Sequence, residues 1–158
     1  MAKAVRSFGL AWSLVGRTRF QKTAYFLEAA GVGYGFDFSY HYYGPYSEEL
    51  AVAVSDAEAL GLVHTDWDTS QSGFSYAIYH AVPPKEPAPS DQNRRRKEML
   101  AVLGRYDAIS LELAATAHYL THNGYKRDPW DETRRRKTVK ATPERIEKAK
   151  RLLAELGL

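Results

Sequence analysis

Apolar and polar positions along this chain follow two periods, and the places where one gives way to the other mark its elements. Phe20, Ala24 and Leu27 fall at i, i+4 and i+7, with Thr23 and Tyr25-Phe26 on the flanks, predicting a helix that runs to about Ala30. Thr18 with Gln21 three residues on is the pattern of a capping box at its start, and Gly31 stops it. Ahead of it, Val5, Phe8, Leu10, Trp12 and Val15 predict a short helix over Ala4–Val15, weakened by Gly9 and ended by Gly16. The period then changes to two. Phe36, Phe38, Tyr40 and Tyr42 alternate with polar residues, as on a strand with one aromatic face. Gly44-Pro45 reads as a tight turn, since Gly44 tolerates positive φ and Pro45 fixes its own. Ser47 is placed to cap a helix over Glu48–Leu60, with Glu48 and Glu49 in the first turn, where the helix dipole favours negative charge. Leu50, Val54, Ala57 and Leu60 give that helix an inward stripe, and Gly61 stops it.

Residues 62–68 and 74–80 are two strand candidates joined by the polar run Thr69-Ser70-Gln71-Ser72-Gly73, a hairpin. Residues 82–90 hold four of the seven prolines and predict an extended connection. Helical patterns return around Asp91, interrupted at Gly104. Asp107 is the expected cap of a mostly buried helix from Ala108 to about His122, closed by Asn123-Gly124. Asp128-Pro129 and Thr142-Pro143 are cap and first-turn pairs for two more helices. Ile146, Ala149, Leu152, Leu153 and Leu156 form the apolar stripe of the last.

The sum is an α+β protein. Helix, helix, strand, helix and hairpin is the order of a winged-helix domain, so the expectation is a winged-helix-like part over 1–81, a Pro-rich linker over 82–92, and a helical part over 93–158 that packs back on it. A winged helix invites a DNA-binding reading. The helix over Glu48–Leu60 argues against reading DNA with it: it has no Lys or Arg and carries Glu48, Glu49, Asp56 and Glu58, whereas phosphate contact needs cations.

Composition narrows the field further. The chain has 158 residues and no cysteine, which excludes disulfides, thiolate zinc sites and a Cys nucleophile, and fits a reducing cytoplasm. No apolar run reaches the ~18 residues of a membrane span, and the N-terminus lacks signal-peptide character. The net charge of +3 is uneven. Residues 1–92 hold six Lys/Arg against ten Asp/Glu (−4), and residues 93–158 hold sixteen against nine (+7). That asymmetry means either two surfaces with different partners or charged helix faces that simply meet solvent.

Candidate chemistry is sparse. Gly31-Val32-Gly33-Tyr34-Gly35 follows a helix and precedes a strand, the wrong order for a phosphate loop, and a Walker Lys-Ser/Thr is missing. His118 and His122 have helical metal-pair spacing, but no Glu adjoins His118, and a structural role is the simpler reading. Ser47 is explained by its cap, and Glu48 and Glu49 point to different sides of a helix. No catalytic constellation emerges, and no cofactor is expected. Two binding surfaces remain. Arg17, Arg19 and Lys22 can line a groove with His41, Tyr42, Tyr43, Gly44, Pro45 and Tyr46, offering cation–π and stacking contacts to a partner, although Arg17 can equally pair with a neighbouring acid. Arg94, Arg95, Arg96 and Lys97, with Arg134, Arg135, Arg136 and Lys137, can converge into a basic patch for nucleic acid or an acidic protein, or can stand as two solvated helix ends.

The run Gly16-Arg17-Thr18-Arg19-Phe20-Gln21-Lys22, an aromatic-rich helix, then Tyr42-Tyr43-Gly44-Pro45-Tyr46-Ser47-Glu48-Glu49-Leu50 and a helix ending Leu60-Gly61-Leu62-Val63, resembles the N-terminal half of the Panacea or SocA-like proteins. Leu111–Tyr125 and the closing helix are similar to the YwgA-like branch of that group, so the resemblance spans most of the chain. It implies a protein-binding domain, in some members an antitoxin that neutralises a toxin. The expected function is therefore a protein-interaction module, an antitoxin or adaptor-like regulator with a protein partner or a second copy of itself. A nucleic-acid-binding regulator using the basic C-terminal helices is the alternative.

Overall fold

A computed structural model describes residues 13–82, 89–125 and 127–158. Strand β1 (Ser13–Val15) ends at Gly16, whose φ of 93° turns the chain directly into helix α1 (Arg17–Ala29). Residues 13–15 were expected to close a helix. They are a strand because they pair antiparallel with a later one, in the register Ser13↔His80 to Val15↔Ile78. The remainder of the expected helix over Ala4–Val15 lies outside the described residues. The Thr18 capping box does not form either. Gly16 is the N-cap, without a side-chain cap bond, and Gln21 turns into the interior instead.

After α1 the chain runs through a loop organised by one carboxylate. Glu28 Oε1 accepts from the backbone N–H groups of Tyr34, Gly35 and Phe36, at 2.7, 2.9 and 3.1 Å. The Phe36 amide is therefore committed to Glu28 and Tyr42 lies in a turn, and β2 covers only Ser39–His41 rather than the whole of 36–42. It pairs with β3 (Gly44–Tyr46), and the pairs His41↔Gly44 and Tyr40↔Pro45 place the hairpin turn at Tyr42-Tyr43. Gly44 and Pro45, expected at the turn, are strand residues beside it. Gly44 keeps the anticipated positive φ, 84°. Ser47 caps α2 (Glu48–Ala59) by accepting from Leu50 N at 3.2 Å.

The hairpin expected over 62–80 is β4 (Val63–Thr69) and β5 (Ser75–Ala81), and with β1 it makes an antiparallel sheet of order β1-β5-β4. Beyond residues 83–88 follow four helices: α3 (Asp91–Leu103), α4 (Ala108–His122), α5 (Pro129–Arg136) and α6 (Pro143–Leu156). Ser90, Asp107, Asp128 and Thr142 cap them through their side chains. The architecture is mixed α+β. Among the described residues, no helix is long and apolar enough to cross a membrane.

Helix α4 is the axis of the core. Leu111, Leu113, Ala114, Ala115 and Leu120 are essentially inaccessible, as α1, α5, α6 and β3 all pack on it. One continuous apolar cluster joins Phe20, Phe26, Leu27, Leu50 and Val54 with Met99, Leu103, Leu111, Leu152 and Leu156. The helical part and the N-terminal part therefore share an interior.

A pair of adjacent α1 side chains ties the small hairpin to this core. The Gln21 amide donates to Ser47 O at 3.0 Å, and its oxygen accepts from Ser47 N at 2.9 Å. Lys22 Nζ donates to Pro45 O at 2.6 Å. Gly44 sits so close to α4 that a Cβ there would lie 2.6 Å from Thr116 Oγ1. Two outcomes follow. Gln21→Ala leaves the buried Ser47 N–H unpaired, while Ser47 O keeps the N–H of Ala51, so the chain loses roughly 1–3 kcal/mol in urea denaturation. Gly44→Ala meets positive φ and a steric clash together and lowers the same midpoint, whereas Gly73→Ala, with positive φ but open space, costs less.

Candidate functional site

The β2–β3 turn puts two aromatic side chains into solvent. Tyr42 is 85% exposed and Tyr43 53%, with ring centroids 5.0 Å apart in an edge-to-face arrangement. Exposed aromatics on a hairpin tip are usually mobile, but the backbone here is held from beneath. Lys22 takes Pro45 O, and Lys137, at the end of α5, donates from Nζ to Tyr42 O.

Both lysines belong to a buried charge cluster. Glu112 of α4 is 2% exposed; its Oε2 accepts from Lys140 Nζ at 2.7 Å. Its Oε1 lies 2.9 Å from Lys137 Nζ, an ion pair by distance that lacks hydrogen-bond geometry, because that ammonium is aimed at Tyr42 O. Burial pushes the Lys22 ammonium down to about 8; Glu112 opposes the shift, and Lys137 and Lys140 reinforce it. Three ammonium groups thus surround one carboxylate. Lys140 Nζ lies 4.9 Å from the Tyr43 ring centroid, and Lys137 Nζ lies 6.0 Å from those of Tyr42 and Tyr43. Val139, 88% exposed, belongs to the turn between Lys137 and Lys140.

The residues expected to bind a partner divide accordingly. His41, Tyr42 and Tyr43 are on the surface, with His41 5.1 Å from Tyr46 and bonded to Ser39 Oγ at 3.2 Å. Arg17 is exposed, and its charge bears on Tyr46. Arg19 reaches Leu103 O at 3.4 Å. Lys22, Gly44 and Pro45 are buried beneath the hairpin surface. The pattern that missed Lys140, Glu112 and Val139 was sequence distance, since α4 and the α5–α6 turn reach the hairpin only in three dimensions.

The two basic runs have separate partners. Arg95 donates to Leu156 O at 2.7 Å. Arg96 holds Val32 O and Gly33 O and stacks 4.4 Å from Tyr34. Arg135 pairs with Asp131 and Glu132; Arg136 pairs with Glu132 and lies 4.6 Å from the Tyr40 ring. Lys137 is in the Glu112 cluster. Arg94 pairs with Asp91 on the surface, and Lys97 and Arg134 are exposed.

A concavity of about 480 Å³ is lined by Tyr25, Phe36, Phe38, Tyr119, His118 and His122 among others. His118 Nδ1 lies 2.7 Å from Tyr25 OH, and the rings of His118 and His122 are 4.4 Å apart. His122 Nδ1 is engaged by His118 O at 2.9 Å. Both imidazoles thus have internal partners. Burial, then His122, lowers the His118 pKa to about 4.

No family model matches the chain. Over 75 residues it is 29% identical to the uncharacterized protein YwgA of Bacillus subtilis (strain 168), a stretch covering 48% of this chain. The chain spans less than half, 45%, of that relative's length.

Two pH effects are expected. For Lys22 the folded pKa lies below the usual 10.5, so between about 8 and 10.5 the unfolded chain holds more protons, and the Lys22 contribution to stability grows as pH rises. Denaturant midpoints measured from pH 7.5 to 9.5, short of tyrosine ionisation, rise relative to those of Lys22→Met. His118 has the same sign in another window. Its contribution is full above about 6.5 and is lost as pH falls to about 4, so His118→Gln flattens the acid limb of the same curve.

Proposed function

We propose that this chain is a protein-binding module whose contact element is the β2–β3 hairpin, acting sterically by occupying or delivering its partner. The observation that carries this reading is the pairing of exposure with rigidity at Tyr42 and Tyr43. Their rings face solvent while buried side chains of α1 and the α5 terminus fix the peptide that bears them. Aromatic anchors presented with little entropy left to lose are what interface hot spots use. The resemblance to the Panacea and SocA-like proteins supports an antitoxin or adaptor-like role. Its two motifs touch: Gln21 holds Ser47, and Lys22 holds Pro45. The motif pair therefore accounts for the hairpin's shape, and the role itself rests on the resemblance. A winged-helix-like reading of the N-terminal part draws support from the sheet order β1-β5-β4 with α1 and α2 between β1 and the hairpin.

Nucleic-acid binding through the C-terminal helices is the competing proposal. It has less support, because Arg95, Arg96, Arg135, Arg136 and Lys137 are engaged by groups of this chain. Affinity capture from the cells of origin, with nuclease and identification by mass spectrometry, separates the two. A stoichiometric protein retained after nuclease, weakened at least tenfold by Tyr42→Ala with Tyr43→Ala and unchanged by Trp67→Ala on the other hairpin, is the expected result. Nucleic acid alone, released by salt and by neutralising Arg94, Lys97 and Arg134, overturns it.

A further inference from the structure

We infer that the hairpin surface takes an acidic protein segment, with a carboxylate at Lys140 and an apolar side chain beside it on Tyr42, Tyr43 and Val139. This deepens the protein-binding reading and rests on it. The argument is charge balance beneath the aromatic tip. Glu112 answers Lys137 and Lys140, while Lys22 is bonded to a peptide carbonyl, so among the described residues of this cluster three ammonium groups share one buried carboxylate. Such a cluster carries an outward positive field through a low-dielectric wall, and a carboxylate arriving from outside is the charge that completes it. Lys140 is the accessible member. Its side chain is 34% exposed, against 5% for Lys137 and a fully buried Lys22, and its ammonium already lies against the Tyr43 ring. Because Glu112 keeps Lys137, Lys140 can share itself with a second carboxylate without stranding the first.

The apolar half of the contact is equally local. Tyr42, Tyr43 and Val139 are the large exposed hydrophobic residues flanking Lys140, and the tyrosine faces accept an aliphatic or aromatic group. A single accessible ammonium against the Tyr43 ring suits one carboxylate on a peptide. A phosphate backbone takes its affinity from a series of cations, and the nearby Arg135 and Arg136 are already paired with Asp131 and Glu132.

The test is panning of a displayed random peptide library on the immobilised full chain, with a Tyr42→Ala, Tyr43→Ala double variant for counter-selection. Selected peptides are then titrated by fluorescence anisotropy at 50 and 300 mM salt. The expected result is a consensus with Asp or Glu next to a Leu, Ile, Phe or Trp position. Its affinity should fall at least tenfold in Lys140→Gln and weaken with salt. Lys140→Arg retains most of the binding, which separates loss of charge from loss of fold, and urea midpoints of both variants are measured alongside. Peptides that need the tyrosines but carry no acid overturn the acidic assignment and leave the binding module standing. Selection yielding no peptide that depends on the tyrosines overturns both. A double-stranded oligonucleotide that displaces the peptides and binds tighter than they do overturns the assignment in favour of nucleic acid.

Discussion

The hold of α1 on the β2–β3 hairpin is the constraint on which the rest of this structure depends. Gln21 bonds both the N–H and the carbonyl of Ser47, and Lys22 takes the carbonyl of Pro45. Ser47 is at once the residue clamped and the cap of α2, so one side chain sets the hairpin and the start of the next helix together. A two-stranded hairpin of three-residue strands has little stability of its own in water. Here it is an extension of the helical core.

The clamp also explains why costly groups are tolerated inside. Lys22 and Glu112 are both essentially inaccessible, and removing such charges from water is unfavourable unless they are paired and bonded. Each meets the condition differently. Glu112 receives two ammonium groups, whereas Lys22 is bonded to a peptide oxygen and holds its proton less tightly as a result of burial. The close approach of Gly44 to Thr116 brings β3 onto α4 and closes the cluster from above. Packing, electrostatics and the exposed tyrosines are therefore consequences of one arrangement.

Much of the fold was legible in the residue order because it is decided locally. Caps at Ser47, Asp107, Asp128 and Thr142 act on amides three positions away, and the β4–β5 hairpin announces itself through a polar turn between alternating runs. The errors occurred where a distant group won. Residues 13–15 followed a helical pattern until β5 paired with them; Gln21 left its expected cap role for Ser47; and Glu28 took the amide of Phe36, the first residue of the longer strand expected over 36–42.

The site divides in the same way. Tyr42 and Tyr43, beside a Gly-Pro pair, could be picked out from the sequence as candidate contacts, because amphipathic rings at a turn have somewhere to point. Which neighbouring cations would be spent was not legible. Arg95 and Arg96 belong to one run of four, yet they reach opposite elements, α6 and the loop after α1. Local periodicity by itself determined helices α1 to α6, the β4–β5 hairpin and the α+β class. Only tertiary structure decided that Lys22 would be a buried support, that Glu112 would pair with Lys137 and Lys140, and that Lys140 would stand at the surface between tyrosine and solvent. Burial and charge pairing join residues ninety positions apart, and no pattern along the chain encodes such a distance.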